Sequence, residues 1–375
     1  MDAADLDYLL PSAAIAQRPI EPRDAARLLV DRGPGRKPDH RIVADLAGLL
    51  DPGDVLVVND TKVIPARLQL RKATGGAVEV LLLERHPEGW WEALVKPSRR
   101  VLAGTVLRPA DDTSGGDITI EVGEMLGDDG RRRVTIHGGM DESHAGNGPG
   151  SDSAAGLGQD LALLAGAGIG EVPLPPYIHE PLADPDRYQT VFAANPGSVA
   201  APTAGLHLTE ALLNRCRARG VAVVQIELVV GLGTFRPITA ERVEDHPMHA
   251  ERYRIPLATQ AALAALGPRP DRSADQGKVV AVGTTVVRAL ESWAVTGEVE
   301  GATSLFIHGA YPFAFVDRLL TNFHVPRSSL LALVEALIGS RWRDLYEEAL
   351  TEGYRFLSFG DAMLLDSSPL SESSM

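Results

Sequence analysis

The feature that most constrains the fold is a change in hydrophobic period along the chain. From Ile64 to Ile136 the pattern is one of short β-like segments, Val78 to Leu83, Trp90 to Val95, Asp117 to Val122 and Arg133 to Ile136, separated by turn residues. That spacing predicts a small β-barrel or sandwich. On both sides the pattern is different. Val55 to Val58 is a short apolar run opened by Asp51-Pro-Gly-Asp54 and stopped by Asn59-Asp60, which reads as a buried strand with a polar end. After residue 170, helical stretches alternate with apolar runs: Thr209 to Arg219, Val221 to Val230, Lys278 to Val282, Val286 to Trp293, Leu330 to Ile338 and Arg341 to Glu352. Gly220 and Gly353 stop two of the helices, and Ser328 and Ser329 can cap a third. The expected fold class is therefore α/β, a multidomain α and β chain whose catalytic domain is interrupted by a small antiparallel β-barrel insert.

Domain boundaries follow from the same pattern: a discontinuous α/β domain over residues 1–61 and 165–375, and a barrel over 62–140. Residues 138–170 hold ten glycines with several Ala and Ser, so a flexible linker is expected over 141–164. The proline-rich stretch Ile15 to Arg23 cannot be an ordinary helix interior and should be an ordered loop.

Composition narrows the function classes. A chain of 375 residues, 45% of them hydrophobic, buries a substantial core, and no apolar run reaches the ~20 residues that cross a bilayer. The N-terminus carries aspartates where a secretory signal would be basic, so a cytoplasmic protein is expected. Cys216 is the single cysteine, which rules out an internal disulfide or a thiolate metal cluster. A net charge of -14 argues against non-specific nucleic-acid binding. Between Lys62 and Arg108, however, nine basic residues face four Glu, so any RNA contact should be local to the insert, at Lys96, Arg99 and Arg100.

Four polar constellations are candidates for chemistry. Pro202 to Glu210 sets a small-residue turn and His207 ahead of a helix, where free N–H groups can hold an anion; an ordinary helix start with a core histidine fits as well. Gly231-Leu-Gly-Thr-Phe-Arg236 follows a buried strand and is either a ligand-approach loop or a plain strand-end turn. Asp245 to Glu251 clusters His246 and His249 with acids, but Pro247 disrupts the helical spacing that metal pairs use, so acid/base chemistry or loop hydrogen bonding is preferred and no metal is expected. In Thr321-Asn-Phe-His324, Asn322 can read a base edge and Phe323 can stack on one, or Phe323 is core and Asn322 a turn residue.

Taken together and in order, these segments resemble the S-adenosylmethionine:tRNA ribosyltransferase-isomerases of queuosine biosynthesis, the QueA family. The resemblance runs from Ile15-Ala-Gln-Arg-Pro-Ile-Glu-Pro-Arg-Asp24 through Asn59-Asp-Thr-Lys-Val-Ile-Pro-Ala-Arg67, Trp91 to Pro97, Pro173 to Tyr177 and Arg187-Tyr-Gln-Thr190. It continues through Gly197 to His207, Gly231 to Pro237, Ala281-Val-Gly-Thr-Thr285 and Thr321 to His324, and closes at Tyr354 to Met363. It spans roughly residues 5 to 365. Lys62, Leu208 and His308-Gly-Ala-Tyr311 depart from the family pattern.

The resemblance implies transfer and isomerisation of the ribosyl part of S-adenosylmethionine onto 7-aminomethyl-7-deazaguanine at the tRNA wobble position, giving epoxyqueuosine, adenine and methionine. The implied partners are S-adenosylmethionine, a consumed cosubstrate rather than a cofactor, and tRNA with a GUN-type anticodon; the expected enzyme is a monomer without other cofactor. The reaction needs a base for a ribose C5′ proton, for which the candidates are His207 and His249, then Glu251 and Asp60. Candidate substrate contacts are Thr203, Gly205, Gly231, Gly233, Thr234, Phe235, Arg236, Tyr177, Thr284, Thr285, Asn322, Phe323 and His324. Phe235 or Tyr177 can face the sulfonium by cation–π attraction. A methyltransferase acting on RNA is the competing enzyme class, and a non-catalytic RNA-binding protein the competing non-enzyme.

Overall fold

The computed structural model describes residues 1–110, 118–127, 130–138, 153–231, 237–273 and 275–367. In chain order its strands include β1 (Arg27–Val30), β2 (Asp39–Ile42), β3 (Val55–Asn59), β4 (Arg67–Lys72), β5 (Ala77–Arg85), β6 (Trp91–Lys96), β7 (Thr105–Pro109), β8 (Thr119–Met125) and β9 (Arg131–His137). They continue as β10 (Ala222–Leu228), β11 (Glu251–Arg254), β12 (Val279–Val282), β13 (Glu300–Thr303), β14 (Arg318–Asn322) and β15 (Ala362–Asp366). The longer helices are α1 (Ser153–Gly166), α2 (Glu210–Ala218), α3 (Leu257–Leu266), α4 (Thr284–Thr296), α5 (Ser329–Ile338) and α6 (Arg341–Thr351). Two compact units result: residues 1–62, 175–195 and 201–375 form one, and residues 63–174 with 196–200 the other.

The larger unit is built on a nine-stranded mixed sheet in the order β13-β11-β10-β3-β12-β14-β15-β1-β2. Its centre is parallel: β10 with β3, β3 with β12, and β12 with β14. Every residue of β3, β12 and β14 is buried, as expected of parallel strands covered on both faces. Val55 to Val58 therefore reads as a continuous apolar run because neither face meets water. Leu56, Val58, Val280, Val282 and Leu320 pack with Leu208, Leu212 and Cys216 on one side. Each such aliphatic side chain contributes about 1.5–3 kcal/mol of burial free energy. Cys216 is fully buried in this layer, which explains a lone thiol by packing.

Helix starts follow their caps. Thr209 accepts from the Leu212 N–H at 3.1 Å and Ser328 from the Leu331 N–H at 3.2 Å, which fixes the first turns of α2 and α5. At the start of α4, Gly283 has φ +89°, a left-handed conformation in which a side chain would be strained, and it lets β12 turn sharply into the helix. Strands β1, β2 and β15 have no counterpart in the sequence reading.

The smaller unit is a closed antiparallel barrel in the order β9-β6-β5-β4-β7-β8, the architecture the period-2 segments implied. Helix α1 occupies residues 153–164 of the linker expected over 141–164, and residues 141–152 lie outside the described residues. Residues 153–166 are helical because the helix has something to bury: Leu164 is fully buried, and Asp160 accepts from Arg85 Nε at 2.7 Å and Trp91 Nε1 at 2.9 Å. Glycine content alone misses such a tertiary anchor.

Candidate active site

The carboxyl ends of the four central parallel strands converge, and ligands of open α/β sheets bind outside such ends. There the larger unit has a small, partly open cleft. Thr203, Thr284, Thr285, Thr321, Asn322 and His324 give it polar walls, and Val230 and Leu330 apolar ones. The sequence singled out five of these residues: Thr203, Thr284, Thr285, Asn322 and His324. Thr321 was part of the same motif.

Asn322, at the end of β14, is buried and hydrogen-bonded on both sides of its amide. Its Oδ1 accepts from Thr203 Oγ1 at 3.1 Å; its Nδ2 donates to His207 Nε2 at 3.0 Å and to the Leu357 carbonyl at 3.1 Å. Asn322 is therefore the knot that holds the Thr203–His207 turn onto the sheet. His207 Nε2 accepts, so the imidazole proton sits on Nδ1. Burial, reinforced by Arg355, Arg187 and Arg23, brings the His207 pKa down to about 4, so the ring is neutral. His324 is also neutral, its pKa pushed down to about 3 by burial, and its Nε2 is 2.9 Å from Thr321 Oγ1.

Asn59 performs a similar task at the end of β3. Its Nδ2 donates to the Leu228 carbonyl at 2.9 Å and to Thr285 Oγ1 at 3.4 Å, and its Oδ1 accepts from the Leu228 N–H at 3.1 Å. Sequence reasoning missed Asn59 as a site residue, although its place at a strand end was the available signal. The next residue, Asp60, is also buried. Its Oδ2 accepts from Asn195 Nδ2 at 3.0 Å, and its Oδ1 has no hydrogen-bond partner among the described residues. Burial holds Asp60 above the usual carboxylate range, aided by Glu227 and opposed by the Asn195 hydrogen bond.

Asp60 is not among the residues that line the cleft, and the remaining candidates do not line it either. Glu251 is buried, with Oε1 accepting from the Gly231 N–H at 3.0 Å and Oε2 paired with Arg288. Arg288 also donates from Nε to the Leu305 carbonyl at 3.2 Å. An Arg–Glu pair so engaged anchors the chain at Gly231 and is not positioned as a base. Arg288 was missed too, although one arginine in the otherwise uncharged run Thr284 to Leu290 was a visible signal. His249 is exposed and does not line the cleft. Phe323 is fully buried among Tyr346, Tyr354 and Phe356, stacked on the last at 4.5 Å, so its ring belongs to the core and is not available to a base. Gly205 is a packing glycine and not a ligand-approach one: a Cβ there would sit 2.8 Å from Phe192 Cζ and 3.0 Å from Thr190 Cγ2. Tyr177 is absent from the cleft wall; its hydroxyl meets Ser358 Oγ at 2.7 Å, and burial pushes its pKa up to about 12. Gly233, Thr234, Phe235 and Arg236 lie outside the described residues. Among the described residues no group of His, Cys, Asp and Glu has metal-binding geometry.

On the barrel unit, Arg99 and Arg100 are exposed on the turn Ser98–Arg100, and Lys96 is exposed at the end of β6. Exposed Arg71 and Arg108 stand opposite each other across β4 and β7. Like charges directly opposed in a sheet repel, whereas Lys96 has Glu79 within 3.9 Å.

A polar cleft at the mouth of a parallel sheet, in a chain that also carries a closed barrel, defines a ligand-binding α/β protein with an inserted β unit. The comparisons make the assignment specific. The model of the queuosine biosynthesis protein family matches residues 3–365, and the chain belongs to that family. The S-adenosylmethionine:tRNA ribosyltransferase-isomerase of Moorella thermoacetica is 48% identical over 97% of this chain and 100% of its own length. The protein of the same name from Rubrobacter xylanophilus is 47% identical over 97% of this chain and 98% of its own. A crystal structure of the S-adenosylmethionine tRNA ribosyltransferase of Thermotoga maritima is similar, with TM-score 0.50, 34% identity, and coverage of 96% of this chain and 99% of that one.

Proposed function

We propose that this chain is an S-adenosylmethionine:tRNA ribosyltransferase-isomerase, transferring and isomerising the ribosyl part of S-adenosylmethionine onto 7-aminomethyl-7-deazaguanine at the wobble position of tRNA. The observation that carries this reading is membership of the queuosine biosynthesis family over residues 3–365, by a chain in which the Gly197–His207, Ala281–Thr285 and Thr321–His324 motifs meet at one cleft. S-adenosylmethionine is consumed as a cosubstrate and no cofactor is required. The tRNA partner has a GUN-type anticodon, and the enzyme works in the cytoplasm as a monomer.

The sulfonium of the cosubstrate withdraws electrons and makes the ribose C5′ protons removable. Asp60 is the base this reading assigns: buried, with a raised pKa and an unpartnered Oδ1. The C5′–H bond breaks and its proton passes to the Asp60 carboxylate; the pair left on C5′ forms a C4′=C5′ double bond as the C4′–O4′ bond breaks, and an O4′ pair forms the C1′ carbonyl as the C1′–N bond to adenine breaks. The resulting Asp60 acid returns that proton to departing adenine. The aminomethyl nitrogen of the tRNA base then adds to C4′ and releases a proton to solvent, the pair returned to C5′ bonds to the C1′ carbonyl carbon, and the C1′ oxyanion displaces methionine, with its sulfur and methyl group, from C5′ to close the epoxide. Thr203, Thr284, Thr285 and Asn322 orient the cosubstrate, and Asn322 acts through the hydrogen bonds that fix its own amide. His207 is a positioning residue, because its Nε2 lone pair is already engaged.

The barrel face of Lys96, Arg99 and Arg100 takes the tRNA stem. An unpaired wobble base suits a chain of charge -14, because it can be read in a pocket without neutralising many phosphates. The test is incubation with precursor-containing tRNA and methyl-labelled S-adenosylmethionine, followed by mass spectrometry. Free adenine, labelled methionine and a tRNA heavier by the transferred sugar are expected. Label retained on RNA would replace this reading with a methyltransferase.

A further inference from the structure

His207 has a second face. Besides meeting Asn322 through Nε2, it lines a separate, small and partly open pocket with Ile20, Arg23, Arg187, Leu206 and Ser358. Three motifs that the proposed chemistry does not use meet here: the proline-rich loop ending at Arg23, the Arg187–Thr190 segment, and Ser358-Phe-Gly360.

The donors of this pocket exceed its acceptors. Arg23 is held by main-chain carbonyls, donating from Nη1 to Gln189 at 2.7 Å and from Nη2 to Asp186 at 2.9 Å. Arg187 donates from Nη2 to the Ile20 carbonyl at 2.8 Å and turns Nε toward Glu21, but its buried Nη1 has no hydrogen-bond partner among the described residues. His207 carries its proton on Nδ1, which also has no partner among them, because Nε2 is the acceptor for Asn322. Tyr177 can donate to Ser358 Oγ, which frees the serine proton. The carboxylates nearby do not line the pocket: Glu21, Asp184 and Asp186 are exposed, and Asp361 pairs with Arg355. A buried guanidinium N–H without an acceptor is a desolvated donor that an oxyanion can satisfy.

We propose that this pocket is an oxyanion site, in which Arg187 Nη1, His207 Nδ1 and the Ser358 hydroxyl donate to a carboxylate or phosphate group. Resting on the function proposed above, two sources share that chemistry: the methionyl carboxylate of S-adenosylmethionine and a backbone phosphate of tRNA. Arg187 is suited to either, because a planar guanidinium offers paired donors to both. An anion on Nδ1–H also makes Nε2 a better acceptor for Asn322, so occupancy of this pocket tightens the wall of the cleft on the other side.

The experiment has a wild-type arm and a variant arm. Wild-type crystals are soaked in tungstate, a heavy oxyanion located by anomalous scattering. Calorimetry then measures the affinity of wild type, Arg187→Gln, Arg187→Lys and Ser358→Ala for S-adenosylmethionine and for an anticodon stem-loop RNA. The expected result is tungstate at hydrogen-bond distance, about 3 Å, from Arg187 and His207. Arg187→Gln should bind one of the two partners at least tenfold more weakly, Arg187→Lys should recover part of that loss, and Ser358→Ala should weaken the same partner. Loss in the S-adenosylmethionine arm identifies the carboxylate. Loss in the RNA arm, with the salt dependence of binding falling by about one ion, identifies the phosphate. If Arg187→Gln does not fold, Ser358→Ala and the soak decide. Tungstate present with every affinity unchanged means an adventitious ion only and overturns the proposal, as does its absence with affinities unchanged. Adenine release by the wild type is scored separately, so a failure of the enzymatic reading is distinguishable from a failure of this site.

Discussion

Asn322 Nδ2 lies 3.0 Å from His207 Nε2, joining the end of β14 to a turn 115 residues earlier in the chain. This contact sets the tautomer of the histidine and the orientation of the amide together. Asn322→Asp replaces the donor with a carboxylate and favours the imidazolium, so the His207 pKa should rise from about 4, as read from its ring nitrogens by NMR. Asn322→Leu leaves His207 Nε2 and Thr203 Oγ1 without this partner and should cost about 1–3 kcal/mol in denaturant unfolding. A cost near zero would contradict the role of Asn322 as a knot.

His207 and His324 give stability a pH dependence of definite sign. Both are neutral in the fold, with pKa values lowered from 6.5 to about 4 and about 3, whereas the unfolded chain protonates near 6.5. The unfolded state thus binds more protons below pH 6.5. The stability due to these two groups is complete above that pH and is lost as pH falls toward 4 and then 3, by up to about 1.4 kcal/mol per pH unit for each. Thermal unfolding from pH 7 to 5 should show the decline. His207→Gln, which keeps an acceptor for Asn322, should make it shallower.

Glu251 and Arg288 test structure against catalysis. Glu251→Gln removes one charge from a buried pair and should destabilise the protein by about 3–5 kcal/mol, whereas the double change to Glu251→Met with Arg288→Met should recover much of it. Single-turnover adenine release per folded molecule should change far less than stability. A large rate loss at full stability would restore Glu251 as a base.

Asp60→Asn should do the opposite. It removes a desolvated carboxylate with an unpartnered oxygen, so stability should hold or rise, while adenine release falls by about 10²–10⁴. In the wild type, the acid limb of the single-turnover profile should lie above the ordinary aspartate value of 3.8, since the active form is the carboxylate. Unchanged release by the folded variant would exclude Asp60.

Reversing both exposed barrel arginines, Arg99→Glu with Arg100→Glu, should weaken tRNA binding and reduce its salt dependence, leaving S-adenosylmethionine affinity near wild type. Equal effects on the two ligands would count against a tRNA role for this face.

Where a local pattern had one physical meaning, it was legible in the chain. The run Val55 to Val58 is uninterrupted because β3 is covered on both faces, and the alternating burial from Trp91 to Val95 follows from a barrel with one inner side. The motifs Ala281 to Thr285 and Thr321 to His324 led to the cleft because they end adjacent strands. Long-range partners were not legible: nothing near Glu251 announces Arg288, and nothing near Asp160 announces Trp91. Phe323 and Gly205 show the same limit from the packing side. Each lies in a functional motif, yet the residues that decide its role, Phe356 and Phe192, are distant or outside that motif.

Among the described residues, closure of the β4–β9 barrel leaves no barrel strand with an unpaired side. A partner of this unit must therefore be recognised by side chains, since no free edge remains to extend. Exposed positions such as Lys96, Arg99 and Arg108 project from a scaffold whose hydrogen-bond ladder does not depend on them. Selection can therefore re-tune the charge of this face, position by position, at little risk to the fold beneath.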